Sequence, residues 1–440
     1  MAEPTPATGT PAGSPLLTIF TTVFIDLLGF GILIPVFPLL ISPGSPFRVT
    51  PAGWSFTTGL IMLGWLQAVY PLFSFLAAPV LGQLSDRFGR RPVLALSIAG
   101  TSAGYVLFAL GIVSKNLPLL FAARALDGLT GGNIAVAQAA VGDISDDTNR
   151  AKNFGMIGAA FGLGFIIGPY LGGRLSAPNT SFYRLFTTPG WFGATTPFWF
   201  AAALAAVNCG LVLWRFPETI HRKDPSRKLE LGKSFSNVAR GFASPRLRVT
   251  LLSAFLFNAG FTFFTSYFGV YLRNKFGFTQ SSTGDYFAIV GLFIAISQGA
   301  MVGVVAKRVA DYKVLRFSYF GLSAALCVYF VATSKLPLYL IIPIFTAFNG
   351  LTMANTSTLI SRSAEPGRQG EAMGIYSSVQ NLAQVPASAL VGYITGSVSS
   401  NTPLVVAAVC IAAAGLAFVA LFRPTFVSDG LARPAALASH

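Results

Sequence analysis

Twelve long apolar stretches follow one another along the chain, at 16–41, 54–83, 92–113, 117–142, 154–175, 196–216, 248–273, 283–306, 314–334, 336–361, 371–396 and 402–422. Each reaches the about 20 residues that cross a bilayer's hydrocarbon core as a helix. Between them little is charged: 10% of the 440 residues, against 53% hydrophobic, with a mean hydropathy of +0.65. Soluble domains carry about 25% charged residues. A water-soluble body of this size could not cover its surface with so few, which excludes ordinary soluble enzymes and nucleic-acid binders despite the net charge of +15. The apolar runs are continuous rather than alternating, which excludes an outer-membrane barrel. The reading is an all-α membrane protein with twelve transmembrane helices. Cys209, Cys327 and Cys410 sit far apart inside apolar runs and read as small core residues. His221 and His440 show no ligand spacing.

Residues 1–15 hold Glu3 and no base, unlike a secretory signal. They read as a disordered cytoplasmic N-terminus, with span 1 retained. If both termini share a side, 22 of the 30 Lys and Arg fall on that side and seven on the other. The positive-inside rule then places both termini in the cytoplasm, in an inner or plasma membrane. The bases serve topology and lipid headgroups, and no nucleic-acid partner is needed. A basic cytoplasmic linker at 217–247 divides a six-helix bundle at 16–216 from a second at 248–422, and 423–440 forms a cytoplasmic tail.

The halves repeat. Shifted by 219, Leu117-Pro118-Leu119 falls on Leu336-Pro337-Leu338, Gly131 on Gly350, Gly155 on Gly374 and Gly173 on Gly392. Two pseudo-symmetric six-helix bundles in parallel repeat, with a binding site between them, are a transporter plan. One chain then forms a complete path, which fits a functional monomer.

Charge is costly at mid-membrane, about 2.5–3.5 kcal/mol by insertion scales. Asp26 lies ten residues into span 1, about 15 Å deep at 1.5 Å per residue. Asp127 lies equally deep in span 4, one turn from Arg124, and Gln138 continues that stripe. These three ionisable groups read either as a structural ion pair plus a satisfied acid, or as a proton relay. In the relay, burial favours the neutral acid and the guanidinium favours the ionised one. The second half has no comparable mid-span charge. It offers neutral stripes instead: Asn258 and Thr265 with Phe261 on span 7, Asn349 on span 10, and Gln380, Asn381 and Gln384 on span 11. Together they suit an amphipathic small molecule. No phosphate-binding loop, nucleophile–base set or metal cluster is readable, so an enzyme is not expected. No cofactor is expected either, since a proton gradient supplies the energy.

Between spans 2 and 3 stands Gly82-Gln-Leu-Ser-Asp86-Arg87-Phe-Gly89-Arg90-Arg91-Pro92. It resembles the signature loop of the major facilitator superfamily. Arg124-Ala-Leu-Asp-Gly-Leu-Thr-Gly-Gly132 is similar to that family's span-4 motif. On span 5, Gly155, Gly164, Gly168-Pro169 and Gly172-Gly173 match the spacing of the antiporter motif of drug:proton exporters. Span 1 and Pro217-Glu218-Thr219 look like those of tetracycline and multidrug exporters. The resemblance implies a twelve-helix, proton-coupled exporter of lipophilic compounds. By it, Asp86, Arg90 and Asp143 would latch the cytoplasmic side in the outward-open state, and Gly164, Gly168, Gly172 and kinked Pro169 would serve a rocking interface. Tetracycline exporters carry a further acid in span 3, where this chain has Gly104 in the matching frame. The residues leave two other functions open: proton-coupled uptake of an organic anion held by Arg124, and a non-transporting receptor or scaffold.

Overall fold

The computed structural model describes residues 15–145, 150–182, 186–220, 229–306, 308–365, 368–397 and 401–423. The expected N-terminal segment up to residue 14 and the tail from 424 lie outside the described residues. The helices are α1 (Pro15–Ile41), α2 (Phe56–Phe88), α3 (Arg90–Val113), α4 (Leu117–Thr130), α5 (Asn133–Asp143), α6 (Arg150–Leu175), α7 (Thr196–Arg215), α8 (Lys233–Ala243), α9 (Arg248–Phe276) and α10 (Gln280–Ile296). A π-turn at Ser297–Met301 joins α10 to α11 (Val302–Ala306). There follow α12 (Asp311–Val331), α13 (Lys335–Leu340), α14 (Ile342–Ser363), α15 (Gln369–Ser397) and α16 (Thr402–Leu421). A two-residue ribbon, β1 (Ser181–Phe182) with β2 (Phe186–Thr187), closes the 176–195 loop. Nine helices among the described residues are long and apolar enough to cross a membrane.

Some features differ from the sequence reading. Span 4 is not one helix: it breaks into α4 and α5 at Gly131-Gly132, and its glycines lie close against α2. Span 10 likewise divides, into α13 and α14 at Ile341. A Cβ at Gly128 would come within 2.5 Å of the Tyr70 carbonyl oxygen, and one at Gly132 within 2.9 Å of the Ala78 Cα. The linker, in turn, contains a helix of its own, α8.

The first bundle comprises α1–α7 and the second α9–α16. Two ends can be told apart: the linker end, with the 86–91 turn and α8, and the far end, with the 42–55 and 176–195 loops. The bundles meet along two seams, α2 with α15 and α6 with α10. Both are tightest toward the far end, where small residues let backbones touch. A Cβ at Gly392 would lie 2.4 Å from the Leu60 carbonyl oxygen, and one at Gly173 2.4 Å from that of Gln280. These are the two glycines that the repeat superposes, so the seams are equivalent by the internal symmetry. Trp65 Nε1 donates to the Tyr393 hydroxyl at 3.2 Å across one seam, and Arg174 Nη2 donates to both Asp285 carboxylate oxygens, at 2.8 and 2.9 Å, across the other. The far end is closed.

Candidate functional site

A narrow cleft with about 50 Å³ of free space lies at mid-depth between the bundles. Its walls come from α1, α2, α4, α9 and α15, the helices that meet at the molecular centre. Leu33, Ile34, Phe37 and Pro38 form an apolar wall, faced by Gln67, Thr262, Thr265, Ser266, Gln384 and Ser388. Arg124 is the one charged side chain lining it among the described residues.

The Arg124 guanidinium sits between two spaces. On one side is the cleft. On the other is a small pocket inside the first bundle, bounded by Leu33, Gly104, Tyr105, Phe108, Asp127 and Phe198. Nη1 donates to Asp127 Oδ2 at 2.8 Å, the two side chains being only 5% and 10% exposed. The i, i+3 spacing on α4 makes that pairing unavoidable. The guanidinium also lies over the Tyr70 ring, 4.7 Å from its centre, and Nε is buried without a partner. Asp127 fits because α3 offers Gly104 opposite it: a Cβ at Gly104 would lie 3.3 Å from the Asp127 Cβ. Asp26 stands on α1, but its side chain lies outside the described residues.

Of the eight residues expected to hold substrate, Thr265 and Gln384 line the cleft. Gln138, Asn258, Phe261, Asn349, Gln380 and Asn381 do not. Asn258 Nδ2 donates to the Ala254 carbonyl of its own helix. Phe261 packs between Phe257 and Phe264. Asn349 is buried in the second bundle with Nδ2 on the Met353 sulfur. Asn381 reaches Ser74 across the α2–α15 seam at 3.4 Å. A polar residue in an apolar span is equally at home in a bundle core, at a seam or in a cavity. Gln67 and Tyr70 were not anticipated; Gln67 is the one amide in the apolar part of α2, a signal that could have flagged it.

The signature turn is ordered by one arginine. Arg90 donates to Ser85 Oγ at 2.6 Å, to Asp86 Oδ1 at 2.6 Å and, through Nε, to Asp143 Oδ2 at 2.9 Å. Two further residues join that the sequence left without a role. Glu218 caps α3 by accepting from the Arg90 backbone N–H at 2.8 Å, and the Thr219 hydroxyl donates to Asp143 at 3.2 Å. Gly89 adopts φ +110°, a conformation that favours glycine. Gly82, expected at a turn, is instead inside α2. Arg91 donates to the Leu213 carbonyl and Arg87 lies over the Phe88 ring. Among the described residues, the hydrogen bonds of Arg90 stay inside the first bundle and the segment that leaves it.

The antiporter-motif glycines also sit within that bundle. Gly164, Gly168 and Gly172 seat α6 on α1, where a Cβ at Gly168 would meet the Leu28 carbonyl oxygen at 2.7 Å. The seam to the other bundle uses a different face of α6: Ile166, the Pro169 carbonyl and Gly173 against Gly284 and Gly291 of α10.

The family model described as Major Facilitator Superfamily matches residues 19–387 and 299–437. The class C tetracycline resistance protein of Escherichia coli is 29% identical over 393 residues, covering 88% of this chain and 91% of that protein. The crystal structure of the human organic anion transporter MFSD10 (TETRAN) superposes with a TM-score of 0.70 at 22% identity, covering 93% of this chain and all of that one. That of a D-xylose–proton symporter gives 0.73 at 15% identity, covering 93% and 98%.

Proposed function

The chain belongs to the major facilitator superfamily, and on that premise we propose that it is a proton-driven antiporter exporting amphipathic organic compounds by alternating access. That it is a multi-pass membrane transporter and not an enzyme follows from the family itself. The observation that carries the finer reading is the Arg124–Asp127 pair, buried between the cleft and the first bundle's inner pocket. A proton on Asp127 removes the guanidinium's counter-charge, and loss of that proton restores it, so occupancy of the cleft and the protonation state are felt by one group. Asp26 is assigned the second proton site. The apolar wall and the neutral hydrogen-bonders Thr265, Gln384, Gln67 and Ser388 suit a lipophilic body with polar edges. With both termini in the cytoplasm of an inner or plasma membrane, the far end, where the Arg174–Asp285 pair and the glycine contacts hold the seams together, is the outer face. A single chain holds both bundles and needs no partner subunit, only lipid, protons and substrate.

The test is transport in proteoliposomes under an imposed pH gradient. Gradient-driven flux should vanish in Asp127→Asn and fall in Asp26→Asn; intact flux in both variants would defeat the assignment. A second reading, proton-coupled uptake of an organic anion, is favoured by one observation: the partnerless Arg124 Nε in the cleft wall. Proton movement separates the two. Substrate uptake acidifies the vesicle lumen in symport and makes it alkaline in antiport.

A further inference from the structure

Helix α8 faces three ways. At 3.6 residues per turn, Ser234, Asn237 and Gly241 share one side, Phe235, Val238 and Phe242 a second, and Lys233, Ser236 and Arg240 a third. The side that meets the protein is the small polar one: Ser234 is 0% and Asn237 7% exposed. Ser234 donates to the Phe75 carbonyl of α2, and Gly241 lies against Ile375 of α15 and Leu251 of α9. Arg240 pairs with Glu371 of α15 at 2.7 Å. One edge of the apolar side is turned outward, with Phe235 62% exposed and Leu231, just ahead of the helix, 74% exposed, while Val238 and Phe242 are half-buried against α9 and α15. A linker helix bathed in water would be expected to bury those residues and expose Ser234 and Asn237.

Depth explains the inversion. The apolar run of α2 ends at Leu81, before the more polar last turns of the same helix, Gly82–Phe88. The Phe235 ring meets the Phe75 ring edge-on at 5.1 Å between centres. Phe75 is six residues inside Leu81, about 9 Å at 1.5 Å per residue. Phe235 therefore lies at the level where acyl chains meet headgroups, while Gln83 and Glu230, bonded to each other at 2.9 Å, mark the level above.

We propose that α8 is an interfacial membrane helix: Leu231 and Phe235 rest among the acyl chains of a leaflet rich in anionic lipid, and Lys233 lies at its headgroups, beside the Arg240–Glu371 pair that ties the helix to α15. Apolar and basic faces set side by side fit a negatively charged lipid surface. Through its contacts with α2 and α15, the helix also holds the lipid-facing side of that seam at the linker end.

The experiment uses the full chain with Cys209, Cys327 and Cys410 replaced by alanine, reconstituted into vesicles of phosphatidylcholine with or without phosphatidylglycerol. A nitroxide is placed by Phe235→Cys or, as control, by Ser236→Cys. In the anionic vesicles the label at 235 should be relaxed by oxygen and shielded from a water-soluble nickel chelate, with the reverse at 236. Omitting phosphatidylglycerol should raise nickel access at 235. A water-exposed label at 235 in the anionic vesicles overturns the proposal, and spin–spin broadening there would do so in favour of a second copy. Equal accessibility in both vesicle types would overturn the role of headgroup charge.

Discussion

Replacing Asp285 by asparagine should loosen the far end of the molecule. Among the described ion pairs, Arg174–Asp285 is the one that joins the two bundles. Nη2 is shared between the two carboxylate oxygens, and Arg174 is further fixed by the Ser181 carbonyl at 2.9 Å and the Tyr170 ring. The carboxylate is 37% exposed and the guanidinium 15%, so solvent screens much of the Coulomb energy. A pair of this kind is worth about 1 kcal/mol. Asparagine keeps the shape and one acceptor but loses the charge. If opening the far end must break the pair, the open population rises about fivefold, the Boltzmann factor of 1 kcal/mol. The readout is alkylation of Thr265→Cys, a cleft position, by a membrane-impermeant maleimide applied from the far side, in a chain without its native cysteines. Labelling should quicken about fivefold in Asp285→Asn and return toward the starting rate when Arg174→Asp is combined with Asp285→Arg. Unchanged labelling, or a swapped pair as fast as the single variant, would show that the close glycine contacts alone hold this end.

Other substitutions probe other contacts. Gly168→Val drives a branched side chain into the Leu28 carbonyl, a backbone atom that cannot step aside; it should cost at least about 2 kcal/mol, read as a lower unfolding temperature in detergent. Arg90→Ala strips Asp86, Asp143 and Ser85 of their shared donor and should cost about 2 kcal/mol, whereas Arg91→Ala, which loses one exposed bond to Leu213, should cost far less in the same assay. Gln384→Ala should raise the substrate KM and leave the proton-to-substrate ratio unchanged, measured as paired fluxes. Because the Gly104 and Asp127 Cβ positions nearly touch, Gly104→Asp should restore part of the coupling that Asp127→Ala removes. A double variant as inactive as the single one would mean that the acid must hang from α4.

The spans were legible because a 20-residue apolar run has few alternatives to a membrane helix. The break at Gly131-Gly132 was not, since two small residues leave such a run apolar; Tyr70 and Ala78 on α2 explain why those residues are glycines. What the pattern gives for each helix is depth: Arg124 lines the cleft and Asp127 the small pocket beside it. Azimuth was not available in the same way. In water, the outward face of a helix is polar and periodicity reveals the inward one. In lipid, both faces are apolar, so Asn258, Asn349 and Gln380 could be assigned to a level and not to a side. Glycine carries the missing information, because in a membrane backbones touch where side chains are absent. The stripe Gly164, Gly168 and Gly172 marks the face of α6 that meets α1. Gly173 and Gly392, paired by the repeat before any coordinates, mark the two seams. The stripe expected at a rocking interface lies against α1: a smooth face announces a close contact without naming the helix that fills it. On α6 the adjacent residues Gly172 and Gly173, about 100° apart around the axis, meet different bundles.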